Sequence, residues 1–244
     1  MDTLQHFFEL INSHKNIFII IPADPSEDAF FSAFALKKLC ESYKKNCAQA
    51  KLVCENTAKF ANLAITKQFS RHLTLKNQWE FNIDIAQTKI QSVKYDKTDT
   101  GLTITVVPEN PKAKPGKYEF SNSAEENLII ALGMENKTAI PNFSEIEKTE
   151  ELIINIDNQL KNSHFGKLYI VKENLTIAEI ICQLFFHEIE KNTINQEALS
   201  ALYSALISAS NQFKNSKTTS DLLKKAAFLL EKGANLQKSF DYTA

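Results

Sequence analysis

The chain has 244 residues and a formal net charge of -1, with 43% hydrophobic and 23% charged residues, the balance of an ordinary globular protein. The near-neutral charge excludes a basic field that would attract nucleic acid from a distance. No apolar run approaches the ~18 residues of a membrane span, and the N-terminus has no signal-peptide pattern. We therefore expect a cytoplasmic protein that does not enter the membrane.

The first third of the chain predicts the start of a βαβ unit. A helix is expected at 3–15, an apolar strand at 16–21 and a helix at 29–40, with two prolines in the turn before the second helix. A second strand is expected at 50–55. Strand, loop and helix in this order are typical of a parallel sheet flanked by helices.

Three predicted strands at 80–85, 89–95 and 102–107 then interrupt this order. Their apolar residues alternate, as at Leu102, Ile104 and Val106, which indicates strands with one apolar face. A turn at 99–101 and a proline-rich loop at 108–116 surround the last strand. We predict an antiparallel β-meander inserted near residues 80–120 of a single α/β domain spanning 1–244.

The second half returns to apolar strands and amphipathic helices. Strands are expected at 128–132, 152–156 and 168–171, with a helical or irregular segment at 142–149, and helices at 176–190, 195–209 and 218–232. Thr176 and Glu179 have the spacing of a capping box, and Asn195 is a suitable cap for the next helix. The predicted fold class is α/β with a mainly parallel sheet.

Polar residues follow the strand at 152–156 directly, at Asp157, Asn158 and Gln159. A β-branched run without polar alternation predicts a buried parallel strand. In open α/β sheets, ligands bind beyond the carboxyl ends of such strands. The end of this strand is therefore a candidate functional site.

The stretch 155–166 reads NIDNQLKNSHFG and resembles the signature of the DHH phosphoesterases, a family that includes nanoRNase/pAp phosphatases and exopolyphosphatase-like proteins. That signature is Asn-Ile-Asp-His-His, then a few residues, Asn and Phe-Gly. The positions of its two histidines hold Asn158 and Gln159. The positions that match are Asn155, Ile156, Asp157, Asn162, Phe165 and Gly166.

Two further motifs of the family are similar to segments of this chain. The first matches at Pro25, Asp28, Ser32, Ala33, Ala35 and Leu36, while its histidine and first aspartate positions hold Pro22 and Ser26. The other lies near 201–219, where the aspartate position is Ala209 and the glycine position is Asn211. A bridging aspartate of the family corresponds to Gly133.

The resemblance implies a phosphoesterase fold whose two-metal site is missing. The family would use manganese or magnesium, and its six ligand positions correspond to Pro22, Ser26, Asp28, Gly133, Asn158 and Ala209. Only one of them is a carboxylate, whereas a two-metal centre needs several anionic or imidazole ligands. We expect no metal, no cofactor and no catalytic residue, and a chain without the family's second, substrate-binding domain.

Each remaining site residue has a structural and a functional interpretation. Asp28 is expected to cap the helix at 29–40, or else to hold a residual magnesium ion. Asp157 is expected to hold its loop by accepting bonds from backbone N–H groups. Asn158 and Gln159 are either tolerated polar replacements or donors to a nucleotide.

Ser32 and His164 are the other candidate ligand contacts. Ser32 has no adjacent base that would make it a nucleophile. His164 is an exposed loop residue or a contact for a phosphate or a partner. The lysines at 214–217 and 224–225 are interpreted as solvated surface.

Two functions remain open from the sequence. The leading hypothesis is a catalytically inactive DHH-like protein that acts as a protein-binding or scaffold module, with another protein or a second copy as partner. The alternative is a metal-poor protein that binds a nucleotide or short RNA, or acts as a phosphoesterase, through a retained cleft that includes Ser26, Asn158, Gln159 and His164.

Overall fold

The computed structural model describes residues 3–43, 50–73, 79–86, 88–114, 116–122, 127–141, 152–188, 194–235 and 237. The chain divides into two compact units. We call Met1–Leu75 with Glu125–Ala244 the α/β unit and Lys76–Ala124 the insertion. The segment predicted at 142–149 lies outside the described residues.

A six-stranded parallel sheet forms the centre of the α/β unit. Its strands are β1 (Asn16–Ile20), β2 (Ala50–Val53), β3 (Phe69–Ser70), β8 (Asn127–Leu132), β9 (Ile153–Asp157) and β10 (Leu168–Val171). They run in the order β10-β9-β8-β1-β2-β3. Every residue of β8 and β9 is buried, which explains their continuous apolar runs.

The α/β unit has five helices: α1 (Thr3–Ser13), α2 (Glu27–Tyr43), α3 (Ile177–Glu188), α4 (Gln196–Ala209) and α5 (Ser220–Glu231). The first three contact the strands, α4 packs on α2 and α3, and α5 packs on α3 and α4. All five contribute to one buried cluster, which also contains Ile17 and Ile19 of β1. The alternate residues Phe18 and Ile20 lie in a second cluster with loop residues such as Met134. The predicted α/β class with a parallel, helix-flanked sheet is confirmed.

Side-chain caps begin three of these helices, and the first two were predicted. Thr176 and Glu179 form the capping box of α3, in which Glu179 N donates to Thr176 Oγ1 at 3.2 Å and Thr176 N donates to Glu179 Oε2 at 3.0 Å. Asn195 Oδ1 accepts from Glu197 N at 2.7 Å at the start of α4. Thr219 caps α5. No helix of the described part of the chain is long and apolar enough to cross a membrane.

The insertion contains β4 (Trp79–Ile83), β5 (Ile90–Lys97), β6 (Leu102–Pro108) and β7 (Tyr118–Asn122). The predicted antiparallel strands are confirmed, but their pairing is nested. β5 pairs with β6 and β4 pairs with β7, in two separate two-stranded sheets, whereas a meander would pair consecutive strands. The β4–β7 register places Phe81 opposite Phe120, so apolar residues share one face.

Candidate functional site

The predicted site residues of three loops meet at one edge of the parallel sheet. β1, β8 and β9 are parallel neighbours, so their carboxyl ends and the loops that follow lie side by side. These loops hold Pro22, Gly133, Asn158 and Gln159. The sequence prediction therefore selected positions that the fold brings together.

Gly133 is the meeting point of three of these positions. Its φ is +72°, and a Cβ atom placed on it would lie 3.9 Å from Pro22 Cδ and 3.7 Å from Ala29 Cβ. Its carbonyl accepts a hydrogen bond from Gln159 Nε2 at 3.4 Å. The left-handed backbone suits glycine, and neither Gly133 nor Pro22 has a side-chain atom that could bind a metal.

Asp28 is a helix cap in this structure. Its carboxylate accepts hydrogen bonds from the backbone N–H groups of Ile177 at 3.0 Å and Ala178 at 2.8 Å, and from Ser32 Oγ at 3.3 Å. Desolvation by burial raises the pKa of Asp28 to about 6, and the hydrogen bonds oppose that rise. The carboxylate thus lies at the positive end of α3, where a negative charge is stabilised.

This arrangement corrects the prediction that Asp28 caps its own helix. That helix, α2, begins at Glu27, so Asp28 lies in its first turn. The cap of α2 is Ser26, whose Oγ accepts from Ala29 N at 3.1 Å. Ser26 is therefore occupied in helix capping, and Asp28 joins the start of α2 to the start of α3.

Asp157 and Asn162 hold the loop after β9. Asp157 is fully buried, and its Oδ2 accepts from Asn162 Nδ2 at 2.7 Å. The same amide donates to the Met134 carbonyl at 2.9 Å, and Asn162 Oδ1 accepts from His164 N at 2.7 Å. Asp157 thus makes a loop-holding contact as predicted, although a side-chain amide replaces the predicted backbone donors. No described group bonds to its Oδ1.

Asn158 is held by the segment that leads into α3. Its Nδ2 donates to the Leu175 carbonyl at 2.9 Å, one residue before the capping box begins at Thr176. Asn158 and Asp28 therefore both bind the same short segment, one through a carbonyl and the other through amides. The side chain at the first histidine position of the motif stabilises the entry to a helix.

Ala209 ends α4 and is followed by a strained turn. Asn211, Gln212 and Phe213 all have left-handed backbones, with φ of 47°, 56° and 64°, a conformation that non-glycine residues adopt at a cost of about 1–3 kcal/mol each. The Asn215 side chain stabilises this turn by donating to the Ala209 carbonyl at 3.1 Å. The sequence contains no glycine here that would have predicted the turn.

The two candidate ligand contacts lie in different environments. Ser32 is fully buried and donates to Asp28 as described above. His164 has a left-handed backbone with φ of 51°, and its ring lies against Tyr169 of β10 with 4.9 Å between ring centroids. Both rings line a cleft of about 400 Å³ together with Lys172 and Gln183.

The donor set of this edge does not fit a two-metal centre. Among the described residues, no group of three or more His, Cys, Asp or Glu side chains is placed to hold a metal ion. The Ser26 hydroxyl accepts a helix amide and both Asp28 oxygens accept amides. A hard cation would have to displace these bonds to gain only a few oxygen ligands.

No sequence pattern predicted the buried ion pair of Lys225 and Glu179. Lys225 of α5 lies 3.3 Å from Glu179 Oε1 of α3, with 7% and 5% of the two side chains exposed. Lys225 also contacts Asp221 one turn earlier. The interpretation of the lysines at 224–225 as solvated surface is therefore wrong for Lys225. Its partner is 46 residues away in sequence, which no local pattern reveals.

The chain is thus an α/β protein with a parallel sheet. Polar side chains follow the carboxyl ends of its strands, and they are hydrogen-bonded to neighbouring loops and helix ends. No protein-family model matches the chain, and no curated protein matches it either. The similarity that the chain shows to a known protein is in its fold.

The chain is similar in structure to an exopolyphosphatase-related protein from Bacteroides fragilis, with a TM-score of 0.65 and 14% sequence identity. The match covers 98% of this chain and 59% of that protein's chain. At this identity the similarity establishes the fold alone.

Proposed function

We propose that this chain is a catalytically inactive, DHH phosphoesterase-like protein that acts in the cytoplasm as a protein-binding or scaffold module. The motif residues kept from the family signature hold helices and loops, and the replaced positions lack metal ligands. The proposal combines the sequence resemblance, the exopolyphosphatase-like fold and the contacts at the carboxyl edge of the sheet.

The contacts of Asp28 carry the proposal. As the one carboxylate among the six corresponding ligand positions, it uses both oxygens to bind the amides of Ile177 and Ala178. A catalytic metal ligand needs a lone pair directed at the ion and several neighbours of the same kind. A carboxylate whose two oxygens each accept one helix amide stabilises α3 instead.

Manganese titration and a phosphodiesterase assay test this proposal. We expect no heat of stoichiometric binding when millimolar Mn²⁺ is added. We also expect no hydrolysis of bis-p-nitrophenyl phosphate above the rate in buffer alone. The control is the Asp28→Asn variant, which removes the one carboxylate among the corresponding ligand positions; it would abolish a genuine metal-dependent activity and leave a contaminant's activity unchanged. Stoichiometric binding together with hydrolysis that this variant loses would overturn the proposal.

A second candidate function is the binding of a nucleotide or short RNA. It is favoured by the cleft of about 400 Å³ that His164, Tyr169, Lys172 and Gln183 line. Tyr169 is 53% exposed and could stack on a base, because aromatic rings bind the faces of bases. The Lys172 ammonium would then bind a phosphate.

Thermal shift with adenosine monophosphate and a dinucleotide, each with and without Mg²⁺, tests this candidate. We expect a shift that the Lys172→Ala variant abolishes. Lys167→Ala is the matched control, because Lys167 is an exposed lysine of the same segment outside the cleft lining. The absence of any shift with either compound would eliminate this candidate.

A further inference from the structure

The insertion exposes its apolar side chains instead of burying them. None of its residues whose burial the structure describes is buried. Of the twelve large hydrophobic residues that the described part of the chain exposes, eight lie in the insertion: Phe81, Ile85, Val93, Tyr95, Leu102, Ile104, Tyr118 and Phe120. Contiguous exposed apolar surface of this kind marks interaction sites.

The β5–β6 sheet has one apolar and one polar face. Val93 is paired with Val106 and Tyr95 with Ile104, while Lys94 is paired with Thr105. Directly paired residues share a face and successive residues alternate. The face with Val93 and Tyr95 is therefore apolar, and these two residues are 60% and 80% exposed.

The β4–β7 sheet repeats this arrangement with aromatic residues. Phe81 is paired with Phe120, and Ile83 with Tyr118, so all four lie on one face. Tyr118 is 72% exposed and Phe120 is 65% exposed. The other face holds charged and polar residues such as Glu119.

A cavity of about 310 Å³ lies within the insertion, lined by Ile83, Ile85, Ile90, Ile104, Val106 and Pro108 among others. Its lining combines residues of the β4–β7 and β5–β6 sheets. This pocket is partly open to solvent, so its apolar lining is surface that a partner can contact. The insertion therefore has apolar walls without the side chains that would fill a core.

Two-stranded sheets are marginally stable in water unless their apolar face packs against something. Each strand of the insertion has a single partner among the described strands, so its outer edge is open to further pairing. Both observations favour a partner that covers the apolar faces.

We infer that the insertion is a self-association surface that packs against the insertion of a second copy of this chain. Eight large side chains exposed by 45% to 80% leave on the order of 800 Å² of surface, since large aromatic side chains have about 150–250 Å² each. A standard interface covers about 800 Å² on each partner. The insertion alone thus supplies the area that a stable two-fold dimer needs.

Charge does not oppose an identical partner. The described residues of the insertion include six lysines (Lys89, Lys94, Lys97, Lys112, Lys114 and Lys117) and six acids (Glu80, Asp84, Asp96, Asp99, Glu109 and Glu119). Their formal charge is therefore zero, and two copies do not repel each other. This inference rests on the scaffold role proposed above, for which it names a second copy as the partner. Its test measures the mass of the species in solution and not catalysis, so the two proposals can fail separately.

Sedimentation velocity on the full chain over a range of micromolar concentrations tests the inference. We expect a species of twice the 27.6 kDa chain mass. Ile104→Lys on the apolar face should weaken dimerisation by about 30-fold or more, the size of an interface hot spot. The matched control is Thr105→Lys, which places the same side chain one residue along on the polar face and should change the dimer dissociation constant by less than about 3-fold.

A second pair of variants controls for local unfolding of the insertion. Phe120→Gln should weaken the dimer, whereas Glu119→Gln, its neighbour on the opposite face, should not. Hydrogen exchange of the β5 and β6 amides should slow as the wild-type concentration rises. A monomer at every concentration, or equal dissociation constants for the variants of the two faces, would overturn the inference. A monomer stabilised by an apolar ligand would overturn it too.

Discussion

The α/β unit and the insertion use their distinctive side chains in opposite ways. In the α/β unit, the carboxylates and amides of the motif positions are turned toward backbone and side-chain partners, as at Asp28 and Asn162. In the insertion, apolar rings such as Tyr118 and Phe120 are exposed to solvent. The motif side chains of the α/β unit bond within the unit, apart from single oxygens such as Asp157 Oδ1, whereas the insertion exposes its apolar side chains.

This difference separates two roles that one fold combines. A motif residue that caps a helix or holds a loop is needed for stability whether or not a reaction occurs. An exposed apolar face adds no stability to the chain that carries it. Substitutions in the α/β unit should therefore reduce the free energy of unfolding, and substitutions in the insertion should reduce association.

The largest expected effect is at the buried ion pair. Lys225→Met should lower the free energy of unfolding by about 3–5 kcal/mol, because it leaves the Glu179 carboxylate buried without its counter-ion. The double variant Glu179→Gln with Lys225→Met should recover much of this loss. Chemical denaturation provides the measurement.

Lys224→Met is the matched control for this ion pair. Lys224 is exposed on the same turn of α5, so its loss should change the free energy of unfolding by less than about 0.5 kcal/mol. Equal effects of the two lysine substitutions would show that the ion pair does not stabilise the contact between α3 and α5.

Asp28 should make stability depend on pH. Its pKa rises from 3.8 to about 6 on folding, so the folded state binds a proton more tightly than the unfolded state. The Asp28 contribution to the free energy of unfolding therefore falls as the pH rises from about 4 to about 6, by at most about 3 kcal/mol, and is constant above that range.

The Asp28→Asn variant isolates this contribution, because its amide does not titrate. The free energy of unfolding of the wild type relative to the variant should decrease between pH 4 and pH 7. A difference that stays constant, or that increases with pH, would contradict the raised pKa.

Asn162→Ala should lower the free energy of unfolding by about 2 kcal/mol. The substitution leaves the buried Asp157 Oδ2 without its donor and removes one of the two donors to the Met134 carbonyl, the other being Asn155 Nδ2. A buried unsatisfied group costs about 1–3 kcal/mol. Lys161→Ala, at the exposed neighbouring position, is the control. Similar thermal unfolding of the two variants would show that the loop does not depend on the Asp157–Asn162 bond.

Periodicity and apolar runs were sufficient to predict the α/β class and the parallel strands, and residue type and spacing predicted the caps at Thr176 and Asn195. The completely buried strand β9 has a β-branched run that predicts burial on both faces. The nested pairing of the insertion was not predictable, because an alternating pattern shows which residues share a face but not which strand is the partner.

The candidate site was predictable in position but not in contacts. Pro22, Gly133 and Gln159 meet at the strand ends, as the rule for parallel sheets requires. The Asp28 carboxylate, in contrast, bonds to Ile177, which is 149 residues further along the chain. Local sequence favours a cap on the residue's own helix, and only the tertiary fold brings the other helix within reach.

The smallest expected effect distinguishes the two units most directly. Leu102→Ala in the insertion removes a side chain that is 63% exposed, whereas Leu128→Ala in β8 removes one that is completely buried. At concentrations below dimerisation, Leu102→Ala should change the free energy of unfolding by less than about 0.5 kcal/mol, as surface substitutions do. Leu128→Ala should lower it by about 2–5 kcal/mol, because it leaves a cavity in a packed core. Circular dichroism at 222 nm, which follows the helices of the α/β unit, measures both.

A loss of more than about 1 kcal/mol for Leu102→Ala would mean that the apolar face of the insertion already stabilises the single chain, and the contrast between the two units would fail.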